Sequence, residues 1–115
     1  MVKRIVTGAH YGLKDWLAQR VTAVVMAVYV IGFVGILLAC TPKSYGDWHA
    51  LFAHQPMRIA TLVFFLSLFW HAWIGMRDIL MDYIKPTGVR LVLEVAVVLV
   101  LVSYAAWAVQ ILWSV

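Results

Sequence analysis

A chain of 115 residues is enough for one domain. Its side chains are 65% hydrophobic and only 12% charged, roughly half the charged share of a soluble globular domain. On a small soluble fold that composition would leave large apolar patches, so it excludes such a fold and calls for lipid. The formal net charge of +4 is less informative than its placement. The basic residues sit at the ends of apolar runs rather than interleaved across a polar face, which excludes a nucleic-acid-binding surface and marks membrane topology.

The segment 1–15 is polar and mixed in charge. It leads into a first helix predicted over 16–40, whose stretch from Val21 to Ala39 carries no charge. That run exceeds the 7–15 or so apolar residues of a cleaved signal segment, so the span is expected to be retained. Thr41-Pro42 ends it, and 41–56 reads as a polar loop containing Gly46, Asp47, His49 and His54. A second helix is predicted over 57–83, uncharged from Ile59 to Met76, with His71 its only ionisable side chain in that stretch. Lys85-Pro86-Thr87-Gly88 makes the turn 84–88. A third helix is predicted over 89–114, with Glu94 four residues after Arg90, the spacing of an intrahelical ion pair. Each apolar run approaches or exceeds the ~20 residues a helix needs to cross ~30 Å of hydrocarbon. Helix is required because every backbone amide in lipid must be satisfied internally. The expected fold is an all-α integral membrane domain of three transmembrane helices. The single cysteine, Cys40, cannot form an internal disulfide and reads as a small apolar residue near a helix end.

Nine Lys and Arg residues orient the spans. Lys3, Arg4, Lys14 and Arg20 precede the first, and Arg77, Lys85 and Arg90 surround the second connection. Only Lys43 and Arg58 fall in the first connection, and no basic residue follows Arg90. The positive-inside rule therefore predicts a cytoplasmic amino terminus, a periplasmic 41–56 segment and a periplasmic carboxy terminus in a bacterial inner membrane. Trp16, Trp48, Tyr83 and Trp113 fall near the expected interfaces.

His71 is the sharpest candidate for chemistry, since an ionisable residue at such depth is expensive in lipid. Two readings fit it: a metal or haem ligand, or a histidine hydrogen-bonded to a neighbouring helix. Ala72 and Gly75 leave little bulk beside the ring, as a planar macrocycle needs. His71 lies six residues before Arg77, about 9 Å below the cytoplasmic rim. If an iron there takes two histidines, the second must come from another chain, because His10, His49 and His54 lie outside the spans.

Asp82 follows His71 by eleven residues, which returns almost to the same helical face. Its neighbour Tyr83 can donate a hydrogen bond while its ring stays in the apolar zone, as a quinone carbonyl at the membrane edge would require. The competing reading makes Tyr83 an interfacial anchor and Asp82–Lys85 a surface ion pair. Arg20 is either a positive-inside anchor or a partner for an acidic group such as a haem propionate, and Thr22 beside it reads as a helix cap. Ala23, Ala27, Gly32, Gly35 and Ala39 allow close approach along the first helix.

The stretch His71-Ala72-Trp73-Ile74-Gly75-Met76, then Asp82-Tyr83-Ile84-Lys85-Pro86 and Arg90, resembles the smaller hydrophobic membrane-anchor subunit of haem b-containing bacterial succinate dehydrogenase. Gly12, Asp15-Trp16 and Arg20-Val21-Thr22-Ala23 fit the same pattern, and the resemblance runs from Gly12 through all three spans. It implies half of a six-helix heterodimeric bundle, completed by a second membrane-anchor (cytochrome b) subunit and bound to iron–sulfur and flavoprotein subunits. It implies that His71 is an axial ligand to a haem b shared with that second anchor. It implies that Tyr83, with Asp82 beside it, binds ubiquinone, and that Arg20 lies near the haem propionates. Where this chain has Lys14, some relatives of the family have histidine.

Two other classes compete. A haem-free structural anchor of a related fumarate reductase-type complex would leave His71 bonded between helices. A small proton-coupled exporter is of similar length, but it needs a membrane-embedded carboxylate and usually a fourth span, and Val21 to Ala39 holds no carboxylate.

Overall fold

Helix breakers and caps divide the apolar chain into four helices. A computed structural model describes residues 3–115, with side chains from Gly12 onward. Lys3, Arg4 and His10 lie outside the residues whose side chains are described. Helix α1 runs over Lys3–Cys40, α2 over Tyr45–Ala53, α3 over Gln55–Tyr83 and α4 over Thr87–Trp113. There is no strand among the described residues.

Three of these helices are long and apolar enough to cross a membrane, namely Gly12–Cys40, Gln55–Tyr83 and Thr87–Trp113. The chain is thus an all-α, multi-pass integral membrane protein. At 1.5 Å per residue the 29 residues from Gly12 to Cys40 span about 43 Å, so α1 continues past a ~30 Å hydrocarbon layer. The start expected at residue 16 is therefore late: no proline lies between Lys3 and Trp16, and polar residues in a helix beyond the membrane edge carry no penalty.

The boundaries follow local chemistry. Cys40 ends α1, and Thr41 takes a left-handed φ of 43° while its amide donates to the Leu37 carbonyl at 2.8 Å. Pro42 prevents the helix from resuming. Pro56 stands in the first turn of α3, where its missing amide hydrogen costs nothing, so α3 begins at Gln55 rather than 57. The segment 41–56, expected as a loop, contains α2. Ser44 caps it, its hydroxyl accepting from the Asp47 amide at 3.2 Å, and the Asp47 carboxylate accepts from the Lys43 amide at 3.0 Å. This reciprocal capping satisfies two amides that would otherwise lack acceptors.

Helix α3 is the centre of the packing, and the extensive helix–helix contacts all involve it, with α1, α4 and α2 as partners. Few side chains are buried within the chain: Ile74, Leu80, Ala108 and Leu112, together with the hydroxyls of Thr22 (5% exposed) and Thr61 (4%). Aliphatic and aromatic side chains cover the remaining surface of all three spans. Lipid or another protein's helices must supply the rest of their environment.

Away from His71, α1 and α3 meet through aromatic rings. Tyr29 stacks on Phe64 at 4.5 Å between centroids and on Phe33 at 5.6 Å. The Tyr29 hydroxyl lies 2.7 Å from Thr61 Oγ1, and Thr61 donates its own hydrogen to the Met57 carbonyl at 2.8 Å. Tyr29 is therefore the donor in that pair. Arg90 and Glu94 lie 4.0 Å apart at the start of α4, the pair their spacing predicts.

Candidate functional site

Thr22 and His71 build the site. Thr22 sits in the middle of α1, where it cannot cap the helix as the sequence suggested. Instead its hydroxyl donates backward to the Ala18 carbonyl at 2.7 Å, with the Gln19 carbonyl at 3.1 Å. A hydroxyl has one hydrogen, so the 3.0 Å contact to His71 Nδ1 has Thr22 Oγ1 as acceptor and the imidazole N–H as donor. The ring is thereby held in the tautomer whose Nε2 carries a lone pair. No hydrogen bond engages Nε2 among the described residues. An imidazole fixed through one nitrogen by a buried acceptor, with the other free, is the arrangement a metal-binding histidine needs.

Below His71 the seam between α1 and α3 stays polar. As positions on α1 fall from Thr22 to Gln19 to Asp15, those opposite on α3 rise from His71 to Gly75 to Arg77. A Cβ placed on Gly75 would lie 4.0 Å from Gln19 Nε2. The small residue expected to clear space for a macrocycle therefore faces Gln19 of α1, at a distance that would also accept a methyl group. Gln19 Oε1 is buried without a hydrogen-bond partner. Arg77 and Asp15 form an ion pair, and the Arg77 guanidinium lies 5.8 Å from the Trp73 ring centroid. Neither Gln19 nor the Asp15–Arg77 pair is visible without knowing the helix pairing.

The remaining candidate residues lie apart from this seam. Arg20 is exposed, with its guanidinium 4.7 Å from the Trp16 ring centroid. It stands about 130° around α1 from the Gln19–Thr22 face at 100° per residue. Among the described residues it pairs with no carboxylate. Asp82 and Tyr83 close α3, both exposed, Tyr83 at 77%. Twelve residues separate Tyr83 from His71, about 18 Å along the axis, so the two mark separate places on one helix. The Asp82–Lys85 ion pair of the competing reading is not among the ion pairs of the described residues.

No group of three or more His, Cys, Asp or Glu is arranged to hold a metal among the described residues. A metal held by His71 would therefore need its other ligands from outside the described residues. An apolar cavity of 500 Å³, lined by Tyr29, Phe33, Phe52, Thr61 and Phe64 among others, lies away from His71.

Three membrane-crossing helices arranged about a central one that carries an intramembrane histidine define a helical membrane-anchor class of protein. The sequence profile of the succinate dehydrogenase/fumarate reductase transmembrane subunits matches residues 3–106, and the chain belongs to that family. It is also 47% identical over 102 residues to the succinate dehydrogenase hydrophobic membrane anchor subunit of Coxiella burnetii (strain RSA 493 / Nine Mile phase I), an alignment covering 89% of each chain.

Proposed function

We propose that this chain is a membrane-anchor subunit of succinate dehydrogenase, which shares a haem b with a second anchor subunit and forms part of the ubiquinone-reduction site. The observation that carries the haem reading is the Thr22–His71 hydrogen bond at 3.0 Å. It satisfies Nδ1 inside the chain and reserves Nε2 for the iron. A second protein ligand to a bound haem would have to come from the partner anchor, since this chain has one histidine within its spans. Arg20, exposed and free of a carboxylate among the described residues, suits a haem propionate. A bound haem would supply one-electron storage within the bilayer.

At the end of α3, Tyr83 holds a phenol at the membrane edge, where it can donate to a ubiquinone carbonyl. Asp82 beside it keeps the carboxylate near the headgroup. The chain itself carries out no oxidation of succinate; it binds and orients the acceptor for electrons that arrive through the iron–sulfur and flavoprotein subunits. The inside placement of the amino terminus in a bacterial inner membrane follows from its basic residues, and it puts Tyr83 on the cytoplasmic side.

A reduced-minus-oxidised visible spectrum of the purified complex, wild type against His71→Ala, tests the reading. The expected result is loss or displacement of b-type bands in the variant. Wild-type bands in His71→Ala overturn the ligand assignment, and absence of such bands in the wild-type complex makes the protein a haem-free anchor.

A further inference from the structure

Thr22 can serve His71 only if α1 keeps one axial position against α3. A slide of one residue, about 1.5 Å, would stretch a 3.0 Å hydrogen bond between the helices to about 3.4 Å, outside the range of a good bond. Farther along the same seam Tyr29 stacks on Phe64 and bonds Thr61, but at the level of Gln19 no ring packing of that kind joins the two helices among the described residues. Opposite Gln19 stands Gly75, which has no side chain, and Gln19 Oε1 finds no donor. The extensive contacts of α1 are with α3 alone, so its lower limb takes its position from this seam.

The next contact down the seam is different in kind. Asp15 and Arg77 are 62 residues apart in sequence and form the one ion pair between helices among the described residues. Arg77 is also held from its own helix, its guanidinium 5.8 Å from the Trp73 ring centroid. Its charge is thus placed before α1 docks. The pair lies seven residues from Thr22 on α1 and six from His71 on α3, about 9–10 Å along each axis. Near-equal offsets on two antiparallel helices mean that the ion pair and the Thr22–His71 bond demand the same register. With side chains 28% and 40% exposed, the pair adds little to stability through screened attraction. What it supplies is direction, since a charge-assisted hydrogen bond from Arg77 to the Asp15 carboxylate favours the alignment that brings the two together.

We infer that Asp15 and Arg77 are positioning residues for the axial ligand: their ion pair sets the register of α1 on α3 and so holds Thr22 at His71. This rests on the haem-ligand reading of His71 for its spectroscopic consequence, but the register itself does not depend on haem.

The test uses the whole purified complex carrying Asp15→Asn, Arg77→Gln or the exchange Asp15→Arg with Arg77→Asp. Three readouts are taken: the visible spectrum and midpoint potential of the haem, and the disulfide yield of a Gln19→Cys/Gly75→Cys pair in a Cys40→Ser background. Both single variants should shift the potential in the direction that Thr22→Val shifts it and lower the cross-link yield, and the exchange should restore both. Unchanged potential and cross-linking in the single variants would overturn the proposal. If the single variants do not assemble, the exchange decides: recovery of assembly with the wild-type potential supports it, and continued failure sinks it. Should His71→Ala keep wild-type bands, the ligand reading falls, and the cross-link yield alone decides the register claim.

Discussion

Thr22 and His71, 49 residues apart in sequence, meet at 3.0 Å across the α1–α3 seam, and the threonine is the acceptor because its own hydrogen is already given to Ala18. Thr22→Val keeps the shape and removes the acceptor. The imidazole N–H is left without a partner in an apolar seam, at a cost of about 1–3 kcal/mol. Under the proposed function, haem affinity falls by about 10- to 100-fold, read as faster haem loss and displaced b-type bands. Thr22→Ser should behave as wild type, and an unaltered spectrum in Thr22→Val would remove the threonine's role at the ligand.

Tyr83→Phe removes one hydroxyl from an exposed ring at the end of α3. Losing a single hydrogen bond to the quinone should lower kcat/KM for ubiquinone by about threefold to tenfold. Succinate oxidation with a soluble artificial acceptor should be unaffected. The haem spectrum should be unchanged, because His71 lies about 18 Å away along the helix. Equal loss with both acceptors would place the tyrosine in assembly rather than at the quinone.

The Tyr29–Thr61 bond supports the same pair of helices without touching the site. Tyr29→Phe keeps the stacking on Phe64 and Phe33 and should cost about 0.6 kcal/mol, a typical interhelical hydrogen bond in a membrane. Thermal inactivation of the complex should come slightly earlier, with the haem bands unchanged.

Two predictions concern the connection between α1 and α3. Thr41 holds a φ of 43°, a conformation that crowds its Cβ, so Thr41→Gly should stabilise the protein by about 1 kcal/mol. Ser44→Ala removes the acceptor for the Asp47 amide and should destabilise α2 by about 1 kcal/mol. Amide exchange confined to residues 45–53 would register it.

The three spans are legible in the sequence because uncharged runs of that length have no other home. The Arg90–Glu94 pair is legible because both partners lie on one helix. Helix α2 escapes a sequence reading although Ser44 and Asp47 stand at capping-box spacing: nine residues are too few for periodicity to speak, and Gly46 with Pro42 and Pro56 around it suggests a loop. His71 can be singled out by its depth, but its acceptor cannot. Thr22 is marked only by the pairing of two helices, and beside Arg20 it looks like a cap. Asp15 and Arg77 are hidden for the same reason, each reading as a surface charge until the register brings them together. Asp82 and Tyr83 lie at the end of a helix, as Pro86 after them suggests, and no residue of this chain meets them there as a partner in an ion pair among the described residues.

The two buried threonines also bear on the order in which the chain enters the bilayer. During synthesis α1 is inserted before α3 exists. Thr22 gives its hydrogen to Ala18 within its own helix, and Thr61 does the same with Met57, so neither hydroxyl leaves a donor stranded in lipid. Each retains a lone pair for a donor on the other helix, Tyr29 on α1 for Thr61 and His71 on α3 for Thr22. When α3 arrives, one docking event closes both bonds, and because they run in opposite directions between helices of fixed length, a misaligned hairpin forfeits both. A hairpin in the wrong register therefore leaves the Tyr29 and His71 donors unpaired in an apolar seam, a cost that favours the native alignment.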